Sequence, residues 1–167
     1  MATDDVRFLA DLERIKTLKA RYCRFVDTKQ WSRLATLFAA DTRFDGFGSA
    51  PAGSNAATFI AGISKRLANV VSIHHVHTPE IEFTGPDTAR GIWPMVDYLQ
   101  FPKDAPPREA PDSPGFVGWG YYEEEYRREG GDWKFSFLRL VRLRIDPLAK
   151  DHPAVRPGLL APSPDWL

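Results

Sequence analysis

Residues 7–27 read RFLADLERIKTLKARYCRFVD. Apolar side chains recur at steps of three and four: Phe8, Leu12, Ile15, Leu18, Tyr22 and Val26. On a helix these positions fall on one face. The spacing predicts one long amphipathic helix that needs a covering surface along its length. Upstream, Thr3, Asp4 and Asp5 read as its start, with acids at the positive end of the helix dipole. Downstream, Asp27 closes the helix one position beyond Val26, near the inner face.

Further along, Trp31, Leu34, Leu37 and Phe38 form one stripe of a second, short helix, and residues 42–47 read as a short strand. Ser54 or Asn55 can cap a third helix that carries Phe59, Ile63 and Leu67. From Val70 the pattern changes to long strands. Val71–Phe83 is a strand interrupted by Pro79, which implies a bend or an edge. Ala89–Gln100, Phe116–Arg128 and Trp133–Asp146 follow, joined by turns at 85–87 and 129–132. Residues 101–115, FPKDAPPREAPDSPG, hold five prolines without periodicity and read as a loop. Helices first and long hairpin strands after them define an α+β fold. The expected architecture is a cone-shaped α+β barrel, with three N-terminal helices packed in a strongly curved, mostly antiparallel sheet. The mouth of such a cone suits a small ligand. Residues 1–150 form this single domain. The Pro-rich tail, 151–167, with Leu159, Leu160 and Trp166, is expected to pack on its own or a neighbouring subunit.

The 167 residues include 43% hydrophobic and 26% charged side chains, a globular balance. Lys+Arg and Asp+Glu are both 22, so no basic excess marks a nucleic-acid partner. No apolar run approaches the roughly 18–20 residues of a membrane span. The N-terminus lacks the pattern of a signal peptide. The single cysteine, Cys23, fits a reducing cytoplasm and reads as a small half-buried helix residue.

Three of the four histidines, His74, His75 and His77, lie within VSIHHVHT, residues 71–78. Side chains alternate on a strand, so His74 faces one way with Ser72 and Val76, and His75 and His77 face the other with Ile73. His75, His77 and Glu82 spell His-x-His-x4-Glu, a cupin-like metal pattern. The flanking glycines of that motif are absent, however, and a cupin would not begin with a long helix. No metal is expected. His74 is the candidate base, since an imidazole oriented by a carboxylate works near neutral pH. Asp27 is the candidate orienter if the strand crosses the first helix. His75 and His77 read as rim or sheet-packing residues.

Three segments, RYCRFVDTKQWSRLATLFAADTRFDGFG (21–48), VSIHHVHTPEIEF (71–83) and GYYEEEYRREGGDWKFSFLRL (120–140), followed by DPLA, resemble the SnoaL-like family of the nuclear transport factor 2-like superfamily. The resemblance spans about residues 8–150 and is greatest to its lindane-type dehydrochlorinases, scytalone-type dehydratases and bile acid 7α-dehydratases. It implies the cone fold, no cofactor and homo-oligomers, with a trimer favoured over a dimer. It also implies that an Asp ending the first helix orients a His on the first long strand, here Asp27 and His74. Tyr22, five residues before Asp27, and Asp97 on the next strand match further acid–base positions. On that strand Trp93, Met95, Asp97 and Leu99 share a face, where apolar company would favour a protonated Asp97. An Arg on the last strand completes such sites, with Arg139 favoured over Arg142.

The expected activity is a carbon–oxygen lyase of the dehydratase type acting on a small apolar cyclic substrate. Phe44, Trp93, Met95, Trp119, Tyr121 and Arg139 are the candidate substrate contacts. Two alternatives stay open: an isomerase or polyketide cyclase using the same pocket, or a non-catalytic ligand-binding module.

Overall fold

The long amphipathic helix forms as its spacing requires. The computed structural model describes residues 2–156, 159, 163 and 166. Helix α1 spans Ala2–Asp27, and Ile15, Leu18, Tyr22 and Val26 are buried along one face. Phe8 departs from the expected stripe. It is half exposed and packs on Phe83, because the first turns of α1 reach the end of the sheet. The helix ends in a Schellman cap. Gln30 N donates to Phe25 O and Lys29 N to Val26 O, with Lys29 itself at φ 60°. A lysine in that left-handed conformation is unfavourable. Its Nζ donates to Ser72 Oγ at 2.8 Å, which ties the helix end to the neighbouring strand.

The remaining elements are α2 (Trp31–Ala35), β1 (Phe38–Asp45), α3 (Ala56–Leu67), β2 (Val71–Val76), β3 (Glu80–Gly85), β4 (Thr88–Gln100), β5 (Gly115–Glu129) and β6 (Asp132–Pro147). Phe38 therefore belongs to β1 rather than to α2. Asn55 caps α3 through Thr58 N at 2.9 Å. The sheet order is β1-β6-β5-β4-β2, with β3 also paired to β4. Only β1 and β6 run parallel, so the sheet is mixed. The expected strand 71–83 is two strands, β2 and β3, and Pro79 lies in the break. Pro94 lies opposite this break and accepts a bond from His77 N. The N–H that proline lacks would face the same side, where no ladder partner is required.

Bulges at the β5–β6 pair, near Ser136 and Leu143, bend the two longest strands. The curved sheet wraps α1 and α3, giving the cone that the helix and strand pattern implies. Its interior is ring-rich: Phe44 stacks on Phe59 at 3.9 Å, and Phe38, Tyr22 and Phe135 meet edge to face or tilted. No described helix is long and apolar enough to cross a membrane. At the start of the tail, Gln100 donates to Pro153 O and the Tyr98 hydroxyl pairs with His152. Leu159 and Trp166 are exposed, and Leu160 lies outside the described residues.

Candidate active site

Strand alternation sorts the histidines as expected. Ser72, His74 and Val76 face inward, whereas Ile73, His75 and His77 are exposed. The C-terminus of α1 meets β2 at His74. Both oxygens of Asp27 engage that one residue: His74 Nδ1 lies 2.6 Å from Oδ1, and the His74 backbone N–H donates to Oδ2 at 2.8 Å. The pairing assigns the ring proton to Nδ1 and leaves Nε2 with its lone pair. Nε2 faces inward, 3.9 Å from Asp97 Oδ2.

Asp97 is the direct cross-strand partner of His74, and Gly118 is the partner of Asp97. This row explains the next contact. Arg142 reaches across from β6 and grips Asp97 with both Nη groups, Nη1 at 2.7 Å. A Cβ at Gly118 would collide with both Arg142 Nη1 and Asp97 Oδ1, so the glycine opens the path of the ion pair. Burial opposes the Arg142 cation, yet its bonds to Asp97 hold it above the usual guanidinium range. Asp97 is thus one half of an ion pair, not the isolated carboxyl in apolar surroundings that its strand neighbours suggested.

These groups line a cavity of about 250 Å³. Tyr22, His74, Asp97, Tyr122 and Arg142 form its polar floor. Ile63, Leu67, Leu99, Phe116 and Leu140 form apolar walls, and Arg66, Arg108 and Glu109 stand at the mouth. Burial pushes the Tyr22 and Tyr122 hydroxyls well above the ordinary phenol range, so both stay protonated at neutral pH. Burial also pushes the Cys23 thiol up to about 11, which keeps it an unreactive thiol. A larger open groove of about 770 Å³ runs between the 101–114 loop and residues 150–155. None of the expected catalytic side chains lines it; those that line a cavity line the smaller one.

Of the expected catalytic residues, the cavity gathers His74, Asp97 and Tyr22 directly, and Asp27 behind His74. The six expected substrate contacts do not line it. Phe44 is core, stacked on Phe59. Trp93 and Met95 share the inner face of β4 with Asp97 but are buried beyond the cavity. Trp93 Nε1 donates to Tyr126 Oη at 2.7 Å, and Tyr126 donates to Glu124 at 2.5 Å. Glu124 in turn pairs with Lys19, a fully buried ion pair that lies against the Tyr122 ring. Trp119 and Tyr121 point to the outer face, since the inner positions of β5 are the even ones, Phe116 to Tyr126. Arg139 is also outside, bonded to Asp45 and Glu123. The Ser136 bulge shifts the alternation of β6, and Leu138, Leu140 and Arg142 turn inward instead.

Tyr122 and the mouth residues Arg66, Arg108 and Glu109 were not foreseen. Tyr122 was legible from the Tyr122-x-Glu124-x-Tyr126 alternation. Arg108 and Glu109 sit in a proline-rich loop with no period to place them.

The SnoaL-like domain pattern matches residues 7–139 of this sequence. The chain belongs to the SnoaL-like domain family. The probable cyclase FGR4 of Gibberella zeae is 26% identical to this SnoaL-like protein over 139 residues, covering 77% of this chain and 89% of that one. A hexachlorocyclohexane dehydrochlorinase, LinA type 2, superposes with a TM-score of 0.70 at 25% identity, covering 93% of this chain and 99% of that one. A scytalone dehydratase-like protein of Novosphingobium aromaticivorans gives a TM-score of 0.72 at 16% identity, covering 84% and 89%. At that identity the likeness is one of fold.

Proposed function

We propose that this SnoaL-like protein is an acid–base lyase of the dehydratase type, which eliminates water from a small cyclic β-hydroxy carbonyl compound. The observation that carries the reading is the two-point grip of Asp27 on His74, which presents Nε2 to a cavity with proton donors on its floor. His74 Nε2 removes the proton from the carbon beside the carbonyl. Asp27 holds the tautomer and stabilises the imidazolium that forms. Arg142, held by both oxygens of Asp97, offers its remaining N–H donors to the developing enolate oxygen. The Tyr22 hydroxyl delivers a proton to the departing hydroxide, with Tyr122 beside it. A positioned acid or base contributes about 10²–10⁴-fold. Side chains alone carry every step.

A second reading keeps the same base and changes the fate of the enolate, to isomerisation or ring closure. The cyclase name of the Gibberella zeae relative favours it. The test is product analysis on a panel of cyclic β-hydroxy ketones with wild type and His74→Asn. Products lighter by one water, made only by wild type, support elimination. Isobaric products support the second reading, and conversion by both proteins equally overturns the role of His74.

We also infer self-association through the outer face of the sheet. Ile73, Ile92, Trp119, Tyr121 and Leu143 are all exposed there. Light scattering that shows a monomer at micromolar concentration overturns this inference.

A further inference from the structure

The mouth of the cavity differs from its floor in charge. On the floor, Asp97 and Arg142 neutralise one another, and His74 is paired with Asp27. At the mouth, two guanidinium groups, Arg66 and Arg108, share one carboxylate, Glu109. One positive charge therefore remains. The side chains of Asp97 and His74 are 1% and 9% exposed, those of Arg66, Glu109 and Arg142 21%, 22% and 22%, and that of Arg108, at the rim, 66%.

The geometry already shows how an oxyanion is held there. Arg66 Nη2 donates to both oxygens of Glu109, at 2.9 and 2.7 Å, and the Arg66 guanidinium lies 5.6 Å from the Phe101 ring centroid. Burial opposes the Glu109 charge, but the bonds from Arg66 hold it below the usual carboxylate range. Arg108 contributes only a long bond, Nε to Glu109 Oε1 at 3.5 Å. Its two Nη groups make no hydrogen bond among the described residues. Nη2 packs against Gly48, where an added Cβ would collide with it. The absent side chain at Gly48 leaves the Arg108 guanidinium room to sit at the rim.

We propose that Arg108, with Arg66 behind it, is an oxyanion subsite, and that the substrate carries a carboxylate or phosphate at the end opposite the reacting carbon. The proposal rests on reading this cavity as the active site and adds the substrate class to it. The anion docks on the free Nη face of Arg108, and the apolar ring enters between Leu67, Phe116 and Leu140. Glu109, on the loop, is the internal competitor for the same guanidinium groups. Planar guanidinium pairs suit oxyanions, and low-dielectric walls strengthen the attraction.

The test is binding without turnover, read by protein-observed NMR. The probes are cyclohexanecarboxylate, cyclohexyl phosphate and the neutral cyclohexanecarboxamide. The expected result is that at least one anion binds about five- to tenfold more tightly than the amide at low salt, with the gap closing as salt rises. Arg108→Gln removes that preference without touching amide binding. Glu109→Gln increases anion affinity. Preference for the carboxylate points to free acids, and preference for the phosphate to phosphorylated or carrier-bound substrates; both uphold the subsite. Amide binding equal to that of both anions overturns it. So does an equal effect of Arg108→Gln on all three probes, weaker anion binding by Glu109→Gln, or anion contacts confined to the groove near Lys103 and Lys150. Because no chemistry is read, an inactive but anion-binding protein would leave the subsite standing and remove the lyase reading alone.

Discussion

Replacing Asp27 with Asn changes one atom and carries a penalty in either orientation of the amide. The two carboxylate oxygens now accept from His74 Nδ1–H at 2.6 Å and from the His74 backbone N–H at 2.8 Å. An amide has one oxygen. If it keeps the backbone bond, its NH2 group faces Nδ1, which must then accept. The ring proton moves to Nε2 and the lone pair turns away from the cavity. If the amide flips instead, its NH2 opposes the backbone N–H, and an orphaned donor costs about 1–3 kcal/mol. The imidazolium also loses its counter-charge. The expected fall in kcat is about 10²–10⁴-fold, or about 2.7–5.4 kcal/mol of barrier. The assay is the initial rate on the best substrate from the hydroxy-ketone panel, alongside ¹⁵N NMR of the His74 ring. Wild type should show the proton on Nδ1 and Asp27→Asn the proton on Nε2. A variant that keeps more than a tenth of the rate, with the proton still on Nδ1, refutes the reasoning.

Three further outcomes follow from the same contacts. Gly118→Ala forces Arg142 away from Asp97 and should lower kcat about 10–100-fold with the far-UV spectrum unchanged; full activity would show that the ion pair has no part in the reaction. Lys19→Met leaves Glu124 buried without its partner and should cost about 3–5 kcal/mol in urea unfolding, whereas Lys19→Met with Glu124→Leu should recover most of it. Cys23 titrates near 9.0 when unfolded and near 11 when folded. The unfolded state thus loses its proton first, so stability present below pH 9 declines as pH rises toward 11, by on the order of 2–3 kcal/mol. Cys23→Ala should flatten that slope, and an unchanged slope would place the alkaline loss elsewhere, with the buried tyrosines as the next groups to test.

Local periodicity made part of the site legible. The step of three and four in α1 placed Tyr22 inward and Asp27 at the end of the buried face. Strand alternation separated His74 from His75 and His77. The residues that escaped depend on register between distant segments. Trp119 and Tyr121 are one position out of phase with the inner row of β5, and the apolar character of a ring does not reveal phase in a strand that buries both kinds of side chain. Arg139 and Arg142 alternate to opposite faces, and the Ser136 bulge, which leaves no residue signature, decides which of them turns inward. Trp93 lies on the expected face, but its ring serves the Lys19–Glu124–Tyr126 network. That network was hidden because a lysine beside an apolar stripe ordinarily faces solvent. The mouth residues come from a loop without period, so only the folded chain brings Arg108 and Glu109 to Arg66.

The most direct test of the central claim is deuterium exchange. Cyclic ketones bearing an acidic α-carbon are incubated with the protein in D2O and followed by proton NMR. The account predicts that wild type exchanges the α-proton, that His74→Asn does not, and that Asp27→Asn slows it about 10²–10⁴-fold. Exchange by His74→Asn at the wild-type rate would contradict the claim that His74 is the base of this site.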